Sequence, residues 1–210
     1  MTGQLAFTLP VAETFRREDF FTSGANAAAL DALDAPHLML VGPPGSGKTH
    51  LAHIWCRQHQ AQMTTTPTDL LPTLAPSAAI AVDDAHTLDQ AALFHLYNLL
   101  MPQGKLLLTA PLPPRDWASL PDLKSRLQTL PTATLNPPDD ALLSAVLVKL
   151  FADRQITVAP NLIAYLTSRM ERSIAAARSL VADLDAKSLA AARPITRALA
   201  AELLDSTAAQ

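Results

Sequence analysis

The feature that most constrains this chain is residues 42–49, which read Gly-Pro-Pro-Gly-Ser-Gly-Lys-Thr. They form a complete G-x-x-x-x-G-K-[ST] pattern, typical of a loop whose glycines let backbone N–H groups converge on phosphate oxygens. At average composition, the four fixed positions match by chance on the order of once in a hundred chains of this length. The pattern therefore predicts a nucleotide-binding loop rather than an ordinary glycine-rich turn.

The residues on either side of the loop favour the same interpretation. The apolar run 38–41 has the length of a buried strand, and Leu51 and Trp55 follow the loop at helical spacing. A helix that starts here would point its positive end at the phosphates. Lys48 is expected to reach the β- and γ-phosphates, and the Thr49 hydroxyl to ligate Mg²⁺. The residues expected to contact the nucleotide are Gly42, Pro43, Pro44, Gly45, Ser46, Gly47, Lys48, Thr49 and His50.

A second buried strand is expected over residues 79–82, and it ends in two acids, Asp83 and Asp84. In phosphate-loop proteins we expect such a strand beside the loop strand, where its acid holds Mg²⁺ through water. Asp83 is therefore the candidate metal residue, and Asp84 is the candidate for polarising the attacking water. The alternative is an acidic turn that only caps the helix after it.

The pattern of the chain changes after residue 137. Strand and helix patterns alternate up to that point, whereas residues 139–204 contain three or four helical patterns separated by prolines. This predicts an α/β fold, a P-loop core with a parallel sheet flanked by helices, followed by a small all-α lid domain. The expected division is an extended segment over 1–12, the nucleotide-binding domain over 13–137 and the helical lid over 138–210. Beyond the two strands already described, the expected elements are strands over 105–109 and 132–135, a β-compatible stretch over 61–66, and a helix over 89–101 capped by Asp89.

Composition narrows the classes of protein that the chain can represent. Hydrophobic residues make up 49% of its 210 residues, enough for a sizeable core, and the formal net charge is −3. Because no basic stripe is present, we expect no strong direct binding to DNA. A lone cysteine, Cys56, excludes an internal disulfide framework. No stretch has membrane-spanning length and no export signal precedes the core, so we expect a cytoplasmic protein without membrane partners.

An α/β phosphate-loop core followed by a helical lid resembles the AAA+ ATPases. Two segments and the acidic pair point to the DnaA group within them. The segment 17–26 resembles that group's entry segment, and residues 120–127, Leu-Pro-Asp-Leu-Lys-Ser-Arg-Leu, resemble its arginine-finger segment. The resemblance covers roughly residues 14–204 and is strongest to the Hda-type regulatory inactivators of DnaA. It implies that Arg126 acts on the nucleotide of a neighbouring molecule.

The N-terminal run 4–10, Gln-Leu-Ala-Phe-Thr-Leu-Pro, resembles the peptide that docks on the replication sliding clamp. Gln4 would make polar contacts at the pocket edge, while Leu5, Phe7 and Leu9 would fill its apolar cleft. The alternative is that these apolar side chains fold back on the core of the chain itself.

The resemblance implies a regulator that binds ATP or ADP with Mg²⁺, docks on the sliding clamp and stimulates ATP hydrolysis by the DnaA initiator. The helix-turn-helix domain that follows the lid in the initiator is expected to be absent, since the sequence ends at Gln210. One alternative is an autonomous AAA+ ATPase that loads or remodels protein or nucleic-acid partners. Another is a nucleotide-binding scaffold without catalysis, and homo-oligomerisation stays open.

Two positions depart from the DnaA pattern. The group's Thr-x-Asp arrangement reads Thr109-Ala110-Pro111 here, so only Thr109 is left to contact the γ-phosphate or the attacking water. The lid arginine of the group aligns with Ala175, and Arg172 or Arg178 replaces it if the register is shifted. Loss of both groups removes charge stabilisation from phosphoryl transfer, so we expect slow hydrolysis by the chain alone.

Overall fold

The structure, a computed structural model, describes residues 15–208 and the side chains of residues 15–205. Its centre is a five-stranded sheet, and every strand pairs in parallel with its neighbours in the order β2-β3-β4-β1-β5. The expected α/β architecture with a parallel sheet is therefore confirmed. The strands are β1 (His37–Val41), β2 (Gln62–Thr64), β3 (Ala79–Val82), β4 (Lys105–Ala110) and β5 (Thr132–Thr134).

The sheet is buried on both faces, which explains why its central strands are apolar without alternation. In β1, Leu38 and Leu40 belong to one hydrophobic cluster, and Met39 and Val41 belong to a second one on the opposite face. Helices cover each cluster from outside. Burial of both faces fixes the register, because a slip of one residue would exchange the two faces of the strand.

The expectation that the acidic strand lies beside the loop strand is wrong. Strand β4 lies between β3 and β1, and Leu107 of β4 pairs with Leu38 on one side and with Ala81 on the other. The physical reason is burial, since Leu107 is wholly inaccessible and β4 carries a continuous apolar run. A strand of that composition is most stable at the centre of a sheet.

Six helices belong to the core region: α1 (Ala27–Asp31), α2 (Lys48–His59), α3 (Pro67–Leu70), α4 (Gln90–Leu100), α5 (Pro114–Trp117) and α6 (Pro121–Leu127). Asp89 caps α4 as expected, because its carboxylate accepts from the Ala92 N–H at 3.0 Å. Pro67 begins α3, a position where its missing N–H costs nothing.

Four helices follow the sheet: α7 (Asp140–Asp153), α8 (Pro160–Thr167), α9 (Ile174–Ala191) and α10 (Arg197–Ala208). They have a hydrophobic core of their own, centred on Leu147, Phe151 and Leu166. Asp139 caps α7 and Ser173 caps α9 with side-chain hydrogen bonds. This helical layer therefore holds together by its own packing beside the sheet.

Within residues 15–208, no helix combines the length and the apolar character needed to cross a bilayer.

Candidate nucleotide-binding site

All strands of the sheet run in parallel, so β1, β3 and β4 end at the same edge. The loop 42–47 leaves β1 there and leads directly into α2. Gly45 and Gly47 have φ values of +70° and +102°, a region that residues with a side chain rarely adopt. These two glycines give the loop the curvature that directs its backbone inward.

The side chain of Lys48 is folded back over this loop. Its Nζ donates to the carbonyls of Gly42 and Pro43 at 2.8 Å and 3.0 Å. Burial lowers the pKa of Lys48, and the carboxylates of Asp84 and Asp83 oppose that shift. The ammonium is therefore held by acceptors of the loop itself, and phosphate oxygens are stronger acceptors that would compete for it.

Two further observations fit an anion at this loop. Helix α2 begins at Lys48 without a side-chain cap, which leaves N–H groups of its first turn without a side-chain acceptor. The Ser46 hydroxyl oxygen is buried and has no hydrogen-bond partner within the described residues. A phosphate supplies acceptors for both sets of donors.

The residues proposed for Mg²⁺ lie together. The Thr49 hydroxyl donates to a carboxylate oxygen of Asp83 at 2.9 Å. Hydroxyl and carboxylate oxygens are ligands that Mg²⁺ prefers, and the ion commonly completes its coordination shell with water and phosphate oxygens. Since residues 15–208 contain no group of three or more histidine, cysteine or acidic ligands, an ion here needs those additional oxygens.

The histidines of α2 make packing contacts. His50 Nε2 donates to the carbonyl of Arg16 at 2.8 Å, and the ring of His53 stacks on Phe15 with centroids 4.3 Å apart. His59 packs against Trp55. These contacts hold the three rings against neighbouring backbone and aromatic side chains.

Thr109, expected to contact the γ-phosphate or the attacking water, lies beside the two acids, and the expected contact stays a prediction. Thr109 is fully buried at the end of β4, its hydroxyl donates to Asp83 at 2.5 Å, and it accepts from the Asp84 N–H at 2.9 Å. Both hydrogen-bonding roles of the hydroxyl are thus used within the protein. Since β4 lies between β1 and β3, Thr109 connects the two acids and orients Asp83, and it does not line the cavity.

Asp84 stands apart from Asp83 in exposure and in backbone conformation. Its φ and ψ are 49° and 45°, and its exposed side chain lines the cavity beside the loop. A non-glycine residue in this region carries a conformational cost of roughly 1–3 kcal/mol. Asp84 therefore lies on the cavity side of the acidic pair, whereas Asp83 is held by the hydroxyls of Thr49 and Thr109.

The loop opens into a cavity of about 850 Å³ that has walls from three parts of the chain. One wall is the loop edge of the sheet, another is the segment 15–21, and the third is the helical layer. Residues that line it include Phe15, Asp19, Phe20, Asn26, Pro44, Gly45, Gly47, Lys48, Thr49, His50, Asp84, Pro111, Leu142, Val146, Lys149, Leu150, Ala175 and Arg178. This volume suits a nucleotide-sized ligand.

The segment 15–21 joins the core to the helical layer across this cavity. On the core side, it holds His50 and His53 through the contacts described above. On the other side, Asp19 forms a half-buried ion pair with Lys149 of α7 at 2.9 Å. The hydrogen bond that the Lys149 ammonium donates to Asp19 is the main reason that the pKa of Lys149 is raised. The position of α7 is therefore tied to the cavity wall.

The helical layer also contacts the loop directly. The Ile174 N–H at the start of α9 donates to the Gly45 carbonyl at 2.9 Å. A Cβ atom added to Gly45 would overlap the side chain of Ser173, which caps α9. This contact links the phosphate loop to α9 without an intervening side chain.

We expect Gly45→Ala to destabilise the fold by about 2 kcal/mol or more, because the left-handed backbone is strained with a side chain and the added methyl overlaps Ser173. The matched control is Gly24→Ala, whose Cβ meets no atom within 4 Å, and which should change stability by less than ~1 kcal/mol. Urea unfolding of the two variants tests this. Equal stabilities would contradict the close contact between loop and lid.

His50 gives the site a pH dependence. Burial lowers its pKa first of all, the charges of Arg178 and His53 add to this, and the Arg16 carbonyl and Asp19 oppose it. Because the folded pKa lies below the ordinary 6.5, the unfolded chain takes up the proton first as the pH falls. The contribution to stability is complete above pH 6.5 and is lost progressively below it.

We therefore expect the free energy of unfolding to fall between pH 6.5 and pH 5, by at most about 1.4 kcal/mol per pH unit for this histidine. His37, whose pKa is also lowered by burial, contributes in the same window. The slope should become shallower in His50→Gln and remain unchanged in His95→Gln, since His95 is exposed on α4. Urea titrations at several pH values measure it, and identical slopes for both variants would contradict the assignment.

The cavity wall contains the two departures from the DnaA pattern. Pro111 and Ala175 both line it, and neither side chain offers a charge or a hydrogen bond. Of the two arginines considered as replacements, Arg172 instead pairs with Asp140 at 2.7 Å and does not line the cavity. Arg178, three residues after Ala175 on α9, does line the cavity, and its guanidinium lies 5.8 Å from the centre of the Phe15 ring.

Arg126 lies away from this cavity. It is exposed on α6, and its guanidinium lies over the rings of Phe94 and Tyr97 of α4, at 5.2 Å and 5.9 Å from their centroids. Arginine over an aromatic face is favourable by roughly 0.5–1 kcal/mol at an exposed site. The side chain is thus held at the surface by two rings of the neighbouring helix α4.

Sequence reasoning missed the wall formed by α7. Leu142, Val146 and Leu150 are spaced by four residues and face the cavity, whereas Leu147 and Phe151 face the helical core. The signal was present, because a helix that is apolar on two faces needs a second partner. Gln4, Leu5, Phe7 and Leu9, the expected clamp contacts, lie outside the described residues.

Known proteins resemble this chain in sequence and in fold. No protein-family profile matches the sequence. Over 184 residues the chain is 27% identical to the chromosomal replication initiator protein DnaA of Cutibacterium acnes, which covers 71% of this chain and 37% of that protein. The chain thus spans little more than a third of that relative's length.

Two solved structures share the fold. Domain III of the Thermotoga maritima replication initiation protein DnaA superposes with a TM-score of 0.76 at 20% identity, covering 91% of this chain and 96% of that one. AMPPCP-bound DnaA from Aquifex aeolicus superposes with a TM-score of 0.63 at 16% identity, covering 80% and 64%. The chain thus has the fold of the AAA+ P-loop domain seen in these DnaA structures. Its sequence is similar to part of DnaA.

Proposed function

We propose that this chain is an Hda-type regulator, which binds ATP or ADP with Mg²⁺ and stimulates ATP hydrolysis by the DnaA initiator. The observation that carries the proposal is the separation of Arg126 from the chain's own cavity, while Pro111 and Ala175 place no charged or hydrogen-bonding side chain at two positions of the cavity wall. An arginine supplied in trans to a neighbour's phosphates is worth on the order of 10³–10⁵ in rate. The chain's chemistry is thus directed outward.

In its own site, the bound nucleotide has mainly a structural role. Lys48 and the loop N–H groups hold the phosphates, and Thr49 with Asp83 holds Mg²⁺, which neutralises phosphate charge when it is bound. Because α9 contacts Gly45 and α7 is tied to the cavity wall, a ligand between them stabilises one arrangement of core and lid. Asp84 retains the position for a slow hydrolysis by the chain itself.

The proposal includes a tether to the sliding clamp through residues 4–9, supported by the glutamine-led sequence with apolar residues at alternate positions. A tether raises the effective concentration of Arg126 near DnaA on DNA without adding a contact between them. The partners are therefore DnaA and the clamp, with nucleic acid reached through them.

The test is the rate of ATP hydrolysis by ATP-loaded DnaA in the presence of clamp loaded on DNA. We expect the chain to accelerate hydrolysis strongly. The double variant Gln4→Ala, Leu5→Ala should lose the acceleration at low concentration and regain it at high concentration, because only the tether is removed. Equal activity of this variant at all concentrations would refute the tether, and no acceleration by the unaltered chain would refute the activator.

An autonomous AAA+ ATPase is the second candidate, and Arg178 is the observation that favours it. Its position in the cavity wall provides a cation on the lid side of the site. If this candidate holds, the chain alone turns over ATP and Arg178→Ala stops it. A scaffold without catalysis would bind nucleotide and accelerate no hydrolysis.

A further inference from the structure

The turn before α6 is attached to α4 by a single side chain. The Gln90 carbonyl oxygen, Oε1, accepts from the Ser119 N–H at 2.9 Å, the Ser119 hydroxyl at 3.2 Å and the Leu120 N–H at 2.8 Å. Leu120 is the N-cap residue of α6 and has no side-chain cap of its own. Gln90 therefore provides acceptors at the point where α6 begins.

The same face of α4 carries the other contact to α6. Phe94 and Tyr97 follow Gln90 at intervals of four and three residues, which places all three on one face of the helix. Their rings lie beneath the guanidinium of Arg126 in the last turn of α6. One face of α4 thus holds α6 at both ends, at its backbone start and at its arginine.

This face leads back to the nucleotide site within a few residues. Asp84 lines the cavity, and a short 3₁₀ turn, Ala85–Thr87, and the capping residue Asp89 connect it to Gln90. The Asp84 carbonyl accepts from the Thr87 hydroxyl at 2.8 Å, which stiffens this connection. The arginine surface is therefore built on a rigid extension of the acidic strand end.

We propose that Gln90 is a positioning residue, which fixes α6 on α4 so that Arg126 is presented in one orientation. This inference rests on the proposed function, in which Arg126 acts on a neighbour's phosphates. Position matters for such a group, since a displacement of about 1 Å can cost on the order of 100-fold in rate. The hydrogen bonds of Gln90 lie at the surface, so their loss affects orientation more than the stability of the fold.

Two variants separate the hydrogen bonds from the rest of the side chain. Both variants remove the Gln90 amide that donates to the Trp117 carbonyl at 3.4 Å. They differ at the acceptor, which Gln90→Leu removes, whereas Gln90→Glu keeps an oxygen that can accept all three bonds. We expect Gln90→Leu to lower the maximal rate of hydrolysis by ATP-loaded DnaA by about 10-fold or more, with less than ~3-fold change in half-saturating concentration. Gln90→Glu should restore the rate to within ~3-fold of the unaltered chain, with thermal midpoints of both close to the original.

A second readout follows Arg126 in the isolated chain. Ring currents of Phe94 and Tyr97 should shift the NMR signal of the Arg126 Nε–H, which is assigned by its disappearance in Arg126→Ala. Gln90→Leu should move this signal toward its unshifted position, and Gln90→Glu should not. An unmoved signal in Gln90→Leu, or a moved signal with an unchanged hydrolysis rate while Arg126→Ala is inactive, would overturn the inference. Full activity of Arg126→Ala would instead refute the proposed function, and the NMR signal would still decide whether Gln90 fixes the arginine.

Discussion

Replacing Arg126 with alanine will abolish the acceleration of DnaA hydrolysis, with a loss on the order of 10³-fold or more in the maximal rate. The reason is electrostatic. Negative charge develops on the phosphoryl oxygens in the transition state, and the variant lacks the guanidinium that would stabilise this charge. The substitution should leave the fold intact because the side chain is exposed and only rests on two rings. Nucleotide binding by the chain itself should be unchanged, because Arg126 does not line the cavity.

Arg193→Ala is the matched control for this variant. Arg193 is also exposed, but it lies between α9 and α10 in the helical layer. Removal of this charge should leave the rate within ~2-fold, so that a general effect of net charge is excluded. Equal rates for Arg126→Ala and the unaltered chain would show that α6 does not act on the partner's nucleotide.

Replacing Lys48 with alanine will weaken binding of ATP and ADP by roughly 10²–10⁴-fold, since hydrogen bonds to charged groups contribute about 1.5–3 kcal/mol each and we propose that Lys48 contacts two phosphates. Nucleotide-free protein should remain folded, because the ammonium that is removed is buried and its pKa is already lowered by burial. Equilibrium titration with a fluorescent ADP analogue measures the loss.

Lys187→Ala provides the control for this second variant, since Lys187 lies on α9 and does not line the cavity. Its affinity for nucleotide should match that of the unaltered chain. If Lys48→Ala binds ADP as tightly as the control, the loop is not a phosphate site, and the account of the cavity fails with it.

The local chemistry of the site could be predicted because it is encoded in short segments. The loop 42–49 specifies its own turn through glycine, and the acids at 83–84 follow a strand that any parallel sheet brings to the same edge. The structure accordingly brings Thr49 to within 2.9 Å of Asp83. No knowledge of the strand order was needed for this pairing.

The order of the strands was not predictable in the same way. The central place of β4 depends on which apolar run is buried most completely, which is a property of the whole core. The central strand also places the Thr109 hydroxyl between Asp83 and the Asp84 N–H. A pattern read along one segment does not contain that information.

The cavity walls also depend on contacts between distant parts of the chain. Asp19 and Lys149 are 130 positions apart in the sequence. The residues around each of them are those expected around an exposed charge, so the sequence does not indicate that the two form an ion pair. Their pairing arises only once α7 packs against the segment 15–21. Gln90 is similar, since its partners at 119–120 follow after a strand and another helix.

The central claim is that the chemistry takes place in the partner's site. It is tested most directly by a single-turnover experiment with labelled nucleotide in one protein at a time. ATP labelled at the γ-phosphate is bound to DnaA in one mixture and to this chain in the other, with clamp on DNA in both. We expect rapid release of labelled phosphate only when DnaA carries the label. Rapid release from this chain, or no release above that of DnaA alone, would contradict the central claim.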